Sequence, residues 1–589
     1  MNSPSKNPIY LPVVFAFVAP VIAYTFDLVD FNHAKDAVLA CCALLLGFSL
    51  ILRPDQSIRV PRFIPVAVVI LIVSAIYHSM NDATSPLHVI AALNHYLLAF
   101  MFVLLFANAV PPQDRSRVTA YALTTSACIV SLLAWIQYFD LLPTLFPAFP
   151  ANDQHMYSVF GNQNLLGGFI GITIPLTVYR ITRDSKPNPA QILLLALLAS
   201  ACIVSGSRSG WLAAVIGSAC VIPYRNLKRH HFLLAGIGVL LTGILIVLNQ
   251  DATIDRITNT FSSNDVGFQT RIWIWSGAVL LIQDNVFLGV GPGMFQYWSP
   301  TYLGDAAQAA WGTNLRANEI HTLQAHSTLL DLIIEFGVVG ACAAIAWTTA
   351  LFKNRSSAVW GSMIACTVYA LINTITTATP HLLIALLLYI CVSKSNERTF
   401  QPSSSRSRVV CASMVVLLAL PLTGLFTIVT LYPSYQLAKA RQSFAYTSNP
   451  DTTERLYHRA AENVFAFPQT HLEHGLILLN RSSGHAKDEL ETALTGLDTG
   501  EVHLALSHVY AALNDPQKAL QFAESGVGRW PRYYPGWEHL IQLHDETQRI
   551  AVIARSQTFL TLAEVNQLHE RFGIGPATGD LDESPANSE

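Results

Sequence analysis

The chain has 589 residues, 52% of them hydrophobic and only 12% charged, whereas a soluble globular domain carries roughly 25% charged residues. The net charge of -3 says nothing about nucleic acid, and no basic tract suggests such a partner. The nine cysteines all lie in apolar runs, read as small buried hydrophobes, with no disulfide framework and no CxxC metal pair.

Apolar runs of roughly 17–25 residues read as membrane helices. They fall near 9–26, 36–52, 63–79, 88–110, 117–138, 164–181, 190–206, 209–224, 231–248, 327–352, 357–376, 379–393 and 409–431, about thirteen spans. The first contains Pro12 and Pro20 and has no small-x-small cleavage site, so it reads as a retained span. Basic residues alternate from loop to loop. Arg53, Arg59 and Arg62, then Arg115 and Arg117, Arg180, Arg183 and Lys186, Arg225, Lys228 and Arg229, Lys353 and Arg355, and Lys394, Arg398, Arg406 and Arg408 fall on one side. That side is read as cytoplasmic, with the N-terminus inside and the C-terminus outside. The expected fold is all-α: a polytopic membrane helix bundle with a large extracytoplasmic loop and a C-terminal soluble helical-repeat domain.

Three segments lie outside on this reading. Residues 139–163 lack Lys and Arg and end at Gly161-Asn162-Gln163-Asn164. The loop 249–326 carries Thr270-Arg271-Ile-Trp273-Ile-Trp275, read as an interfacial helix with its tryptophans at headgroup depth. Beyond about residue 432 the chain reads as soluble and helical. The stretch from His503 through Tyr510 and Pro516 to Trp530-Pro531 resembles one tetratricopeptide unit, flanked by amphipathic segments 437–466 and 534–566. The tail from about Gly575 is polar and acidic and is expected to be disordered.

Chemistry is expected where loop 249–326 enters the tenth span, in Glu319-Ile-His321 through His326, Asp331, Glu335 and Gly337. Ionisable residues inside an apolar span usually line a cavity or pair with a partner. Three cations stand outside the positive-inside pattern: Arg208 in Ser205-Gly-Ser-Arg208-Ser-Gly210, Arg271, and His326. Each has a plain structural alternative, namely a headgroup contact, a helix cap or a boundary histidine. Small residues around Arg208 are read as letting a bulky anion approach, and guanidinium groups bind phosphate oxygens bidentately. Glu335 is read either as orienting a cavity residue or as capping a kink near Gly337. Asp331 lies too far round a regular helix to orient His326, and His321 reads as loop structure. The histidine spacing is not that of a zinc helix, so no metal is assigned.

Taken in order, Gly161-Asn162-Gln163-Asn164, Ser205 to Trp211, Thr270 to Trp275, Phe287-Leu-Gly289-Val-Gly291-Pro-Gly293 and Gln324-Ala-His326 to Gly337 resemble the O-antigen ligase superfamily. That superfamily also contains O-antigen polymerases and pilin-type O-oligosaccharyltransferases. The resemblance spans roughly 150–400. It implies a glycan carried on undecaprenyl diphosphate and transferred outside the bacterial inner membrane to an acceptor hydroxyl, without cofactor or metal. Lipid A-core and protein remain alternative acceptors. By this resemblance Arg208 and Arg271 hold the diphosphate and His326 acts on the acceptor, supported by Asn162, Gln163, Asn164 and Glu335. Ser327 stands where many relatives have Asn, and the turn Ala378-Thr-Pro380-His381 departs from the pilin transferases. A polymerase acting on the carrier lipid, or a transporter of the lipid-linked sugar, are the competing readings.

The domain expectation is 1–150 as N-terminal membrane helices and 151–400 as the ligase-like core with loop 249–326. Residues 401–435 form the last span, 436–574 a periplasmic tetratricopeptide-like domain that could dock a protein partner, and 575–589 the tail.

Overall fold

The computed structural model describes residues 10–25, 27–51, 57–80, 85–139, 141, 156–183, 188–224, 266–310, 322–352, 358–393, 397–400, 405–446, 449–479, 481 and 483–574. The expected span 231–248, the residues Glu319 and His321, and the tail from Gly575 fall outside them.

The chain is an all-α membrane protein. Its membrane helices are α1 (Tyr10–Ile22), α2 (Phe31–Ile51), α3 (Phe63–Ser79), α4 (Pro86–Ala109), α5 (Pro112–Tyr138), α6 (Gln163–Arg183), α7 (Pro189–Val204) and α8 (Arg208–Val221). They are followed by α9 (Val266–Asp284), α10 (Phe295–Ala310), α11 (Thr328–Phe336), α12 (Val338–Leu351), α13 (Trp360–Ile372), α14 (Thr379–Val392), α15 (Ser405–Phe426) and α16 (Tyr432–Tyr446). Among the described residues, five helices are long and apolar enough to cross a bilayer: α2, α4, α5, α6 and the stretch Val416–Tyr446. Proline at the first positions of α4, α5, α7 and α14 starts these helices, where a missing N–H is harmless. On α3, Val66, Val69, Val73 and Ile76 form an exposed stripe at helical spacing. Such a face suits lipid, because a contiguous apolar stripe is costly in water. Cys41, Cys220 and Cys342 are likewise exposed rather than buried.

Two expected elements differ. The tenth span is not one helix: α11 ends at Phe336, Gly337 adopts φ +55°, and α12 starts afresh. A Cβ on Gly337 would lie 2.4 Å from the Phe287 carbonyl oxygen, so only glycine fits the break. Hydropathy is blind to that break because both halves are apolar. The last span does not stop at 431–435 either. The helix passes through a π-turn, Thr427–Leu431, directly into α16.

Two short strands, β1 (Ile58–Pro61) and β2 (Glu397–Phe400), pair antiparallel with Arg59 opposite Thr399. Three loops expected on the basic side therefore meet. Arg115, almost fully buried, donates from Nη2 to the Ala107 carbonyl at 2.6 Å and to Glu397 at 3.2 Å, and from Nη1 to the same carboxylate. Asn108 fastens β1 through both its amide atoms, receiving from the Arg59 N–H at 2.8 Å and donating to the Arg59 carbonyl at 2.8 Å.

The chain divides into two compact units. One contains residues 1–275, 281–295 and 324–470; the other contains 276–280, 296–323 and 471–589. In the first, α6 packs on α8, and α13 packs on both. The second contains the helices α17 (Ser483–Leu494), α18 (Gly500–Ala512), α19 (Pro516–Arg529), α20 (Tyr534–Leu543), α21 (Glu546–Ser556) and α22 (Leu562–Arg571), each packed on the next. Thr499, Asp515, Asp545 and Thr561 cap these helices with their side chains. Thr301 of α10 joins this unit at Asp498, which accepts from Thr301 Oγ1 at 3.2 Å, Arg529 at 2.8 Å and His503 at 2.6 Å. Burial raises the Asp498 carboxyl, but the hydrogen bonds and charges of His503 and Arg529 outweigh it and hold it at about 2.

Removing Glu397 strands a buried guanidinium. Glu397→Ala is expected to cost about 3–5 kcal/mol, read as a lower thermal unfolding midpoint of the purified protein in detergent. An unchanged midpoint would show that Arg115 is held by its carbonyl contacts alone.

Candidate functional site

The turn before α11 is held from every side. Asp331, one turn into the helix, reaches back to accept the Ala325 N–H at 2.8 Å and also accepts the Thr374 hydroxyl. The Ala325 carbonyl accepts the Trp275 indole N–H at 3.0 Å. Thr328 donates its N–H and hydroxyl to the Asn373 carbonyl at 3.2 and 2.9 Å, and its Oγ1 accepts from Ile375 N–H at 3.0 Å. Thr377 donates to Gln324 at 2.6 Å. Inside this frame His326 adopts φ +50°, a left-handed conformation that costs a non-glycine residue roughly 1–2 kcal/mol. Asp331 is thus no orienter of the His326 ring, as the spacing implied, but it fixes the backbone one residue before it.

The His326 side chain is partly buried, and no described residue makes a hydrogen bond to its ring. Burial and then the charge of Arg271 push its pKa down to about 4. The imidazole is therefore neutral at physiological pH, with its lone pair unclaimed among the described residues. Arg271 in turn donates to Asn373 Oδ1 at 3.4 Å.

Arg208 is the first residue of α8, half-buried, behind the N-cap Ser207. Ser207 Oγ lies 3.5 Å from the Asn164 carbonyl, which also accepts the Tyr369 hydroxyl at 2.9 Å. The Tyr369 carbonyl in turn accepts the N–H of Asn373, the residue that Arg271 contacts, at 2.9 Å. Asn164 and Tyr369 thus link the Arg208 end of α8 to the neighbourhood of Arg271 and His326. The small residues near Arg208 are used differently from the expectation. A Cβ on Gly210 would lie 2.5 Å from the Gly167 carbonyl carbon, and one on Gly171 would lie 2.4 Å from the Gly210 oxygen. They bring α6 and α8 into backbone contact rather than leaving space for an anion. The result still favours an anion, because two helix N-termini lie side by side next to an arginine. Asn162 accepts the Asn164 N–H at 2.7 Å and so caps α6, while Gln163 is half-buried beside it.

Glu335 ties three elements together. Its carboxylate accepts the Tyr96 hydroxyl at 3.0 Å and the Gly293 N–H at 3.2 Å, and its carbonyl accepts Gly291 N–H at 3.1 Å beside the Gly337 break. Gly289, Gly291 and Gly293 all have positive φ, which lets the loop 287–293 lie along the end of α11. The tryptophans depart from expectation. Trp273 is 1% exposed and therefore sits inside the protein, and Trp275 is bound to Ala325.

Several polar residues were missed. Asp36 accepts from His95 Nδ1 at 2.8 Å and Thr379 Oγ1 at 2.7 Å, and His95 Nε2 donates to the Thr376 carbonyl at 3.0 Å. Lys35 donates to the Val21 and Ala23 carbonyls at 3.0 and 2.7 Å. The available signal was the presence of ionisable residues inside or at the mouth of apolar runs.

Residues 193–345 match the family described as O-antigen ligase. The matched stretch contains Arg208, Arg271, His326 and Glu335, and the resemblance to that superfamily holds there. No curated protein matches the chain.

The left-handed turn is testable. His326→Gly is expected to be more stable than His326→Ala by about 1 kcal/mol, because glycine lacks the Cβ that resists positive φ. Equal thermal midpoints in detergent would show that the turn relaxes when the imidazole is removed.

Proposed function

We propose that the protein is a glycosyltransferase of the inner membrane that moves a glycan from a lipid diphosphate carrier to an acceptor hydroxyl. The carrier is an undecaprenyl diphosphate, and the acceptor is lipid A-core or a protein. The N-terminus lies in the cytoplasm, so the His326 turn and the C-terminal unit lie on the periplasmic side. The observation that carries this reading is the neutral imidazole of His326, unclaimed by any described residue and held in a left-handed turn beside Arg271.

The chemistry follows from those two groups. The acceptor oxygen attacks the anomeric carbon, the bond from that carbon to the phosphate oxygen breaks, and its electron pair leaves with the diphosphate. The hydroxyl proton passes to His326. Guanidinium groups facing the leaving oxygens stabilise the charge that develops there. Arg271 and Arg208 serve in that role, joined by the N-termini of α6 and α8. Attack opposite the leaving group inverts the anomeric centre. An anion bound at Arg271 offsets the charge that depresses the His326 pKa. The imidazole therefore becomes a better base when donor is in place. The C-terminal helices, which resemble tetratricopeptide hairpins at 503–531, provide the surface for docking the acceptor.

His326→Ala is expected to lower transfer by about 10²–10⁴-fold in purified protein while leaving lipid-diphosphate binding intact. Arg271→Ala is expected to lose both binding and transfer. Retained transfer in either variant would refute the assignment.

The pH profile gives a separate check. A histidine whose pKa is lowered keeps its base form down to the lowered value, here about 4. The kcat/KM for donor should therefore hold steady from pH 7.5 to 5. An imidazole at its ordinary value would lose roughly thirtyfold over the same range, and that result would contradict the geometry of the Arg271–His326 pair.

A further inference from the structure

We infer that Asn373 is a donor-binding residue, its side-chain amide nitrogen contacting an anionic oxygen of the carrier diphosphate beside Arg271. The inference rests on the transferase reading above and adds a residue from outside the stretch that matches O-antigen ligase.

Asn373 follows the last turn of α13 and is 3% exposed. Its backbone is fully used. The N–H donates to the Tyr369 carbonyl at 2.9 Å, and the carbonyl accepts both the N–H and the hydroxyl of Thr328. Its Oδ1 accepts from Arg271 Nη2 at 3.4 Å. A guanidinium can only donate, so the amide oxygen must face Arg271, and the amide cannot be flipped without opposing two donors. The nitrogen that remains, Nδ2, is buried and has no hydrogen-bond partner among the described residues.

A buried amide N–H without an acceptor is unfavourable, and in folded proteins such groups nearly always find one. The rest of this neighbourhood offers little to satisfy it. The Tyr369 hydroxyl is spent on Asn164, and the Asn373 carbonyl is spent on Thr328. What is missing is an acceptor, and the charge next to it selects the kind. Arg271 draws an anion to this place, and an anionic oxygen that pairs with Arg271 can accept from Nδ2 as well. The same residue also pins Thr328, two positions after His326. Donor recognition and the His326 turn therefore share one side chain and its backbone.

The test uses the full-length protein in detergent, with farnesyl diphosphate as the probe and the fluorescence of Trp273 and Trp275 as the readout. Wild type binds, and Arg271→Ala does not. Asn373→Asp keeps the acceptor that faces Arg271 but removes the N–H donor; Asn373→Ala removes both. Contact with the diphosphate predicts that both variants bind at least tenfold more weakly, with thermal midpoints close to wild type. If only Asn373→Ala weakens binding, Asn373 merely anchors Arg271 and the inference fails. If only Asn373→Asp weakens it, the effect is repulsion by a new charge and the inference fails. If both variants bind like wild type, the inference fails while the transferase reading stands. Wild-type protein that binds no lipid diphosphate would overturn that reading and the inference together.

Discussion

The carboxylate of Asp331 holds the polar part of the membrane unit in one arrangement. It is buried, and it accepts an amide N–H from the turn that precedes it and a hydroxyl from the segment 373–379. Hydrogen bonds to a charged acceptor are stronger than neutral ones, and a low dielectric strengthens them further. That same low dielectric makes the arrangement all-or-none, because a carboxylate deprived of either donor would be buried and under-satisfied. The segment 373–379 is tied in the same manner to Arg271, Thr328, His95 and Asp36. It contributes four threonines and an asparagine, short polar side chains that can bond without displacing the helices around them.

Glycine works here in two distinct ways. At Gly167, Gly171 and Gly210 its value is the lack of a Cβ, which lets two helices approach to backbone contact. At Gly289, Gly291, Gly293 and Gly337 it is the left-handed backbone, which carries the loop 287–293 along the end of α11. The second use explains why Glu335 lies where it does. The Gly293 N–H and the Tyr96 hydroxyl both point at its carboxylate, so the loop, α4 and α11 meet on one side chain.

The membrane helices were legible because length and apolarity are local properties of the chain. Most expected spans correspond to a helix within a few residues, from α1 to α14, among the described residues. The break at Gly337 was not legible, because it arises from a carbonyl of Phe287 that the sequence places 50 positions away. Trp273 was misread for a related reason: a tryptophan near a membrane surface has the same composition whether it meets lipid or protein. Arg271 and His326 could be picked out one by one as cations on the wrong side of the charge pattern. Their electrostatic coupling could not, and neither could the Asp36–Thr379 pair, which is 343 residues apart in sequence. Asn373 carried no signal at all, since an asparagine after a helix ordinarily reads as a terminus.

If the protein works as the proposed transferase, the pairing of a cation with a neutral imidazole has a consequence for order of binding. Arg271 weakens proton binding at His326, so an anion that compensates Arg271 must strengthen it. Linkage makes the effect reciprocal: whatever the donor adds to the basicity of His326, a proton on His326 adds to donor affinity. In the proposed reaction the imidazole is neutral before transfer, and the donor is held mainly through Arg271. As the acceptor gives up its proton the imidazole becomes cationic, just when negative charge gathers on the departing diphosphate. The attraction between them thus peaks in the transition state rather than in the resting complex, and interactions of that kind accelerate a reaction. A histidine of ordinary pKa would be partly protonated beforehand, and much of that attraction would already be present in the ground state. Holding His326 well below its usual value therefore reserves the second positive charge for the step that needs it.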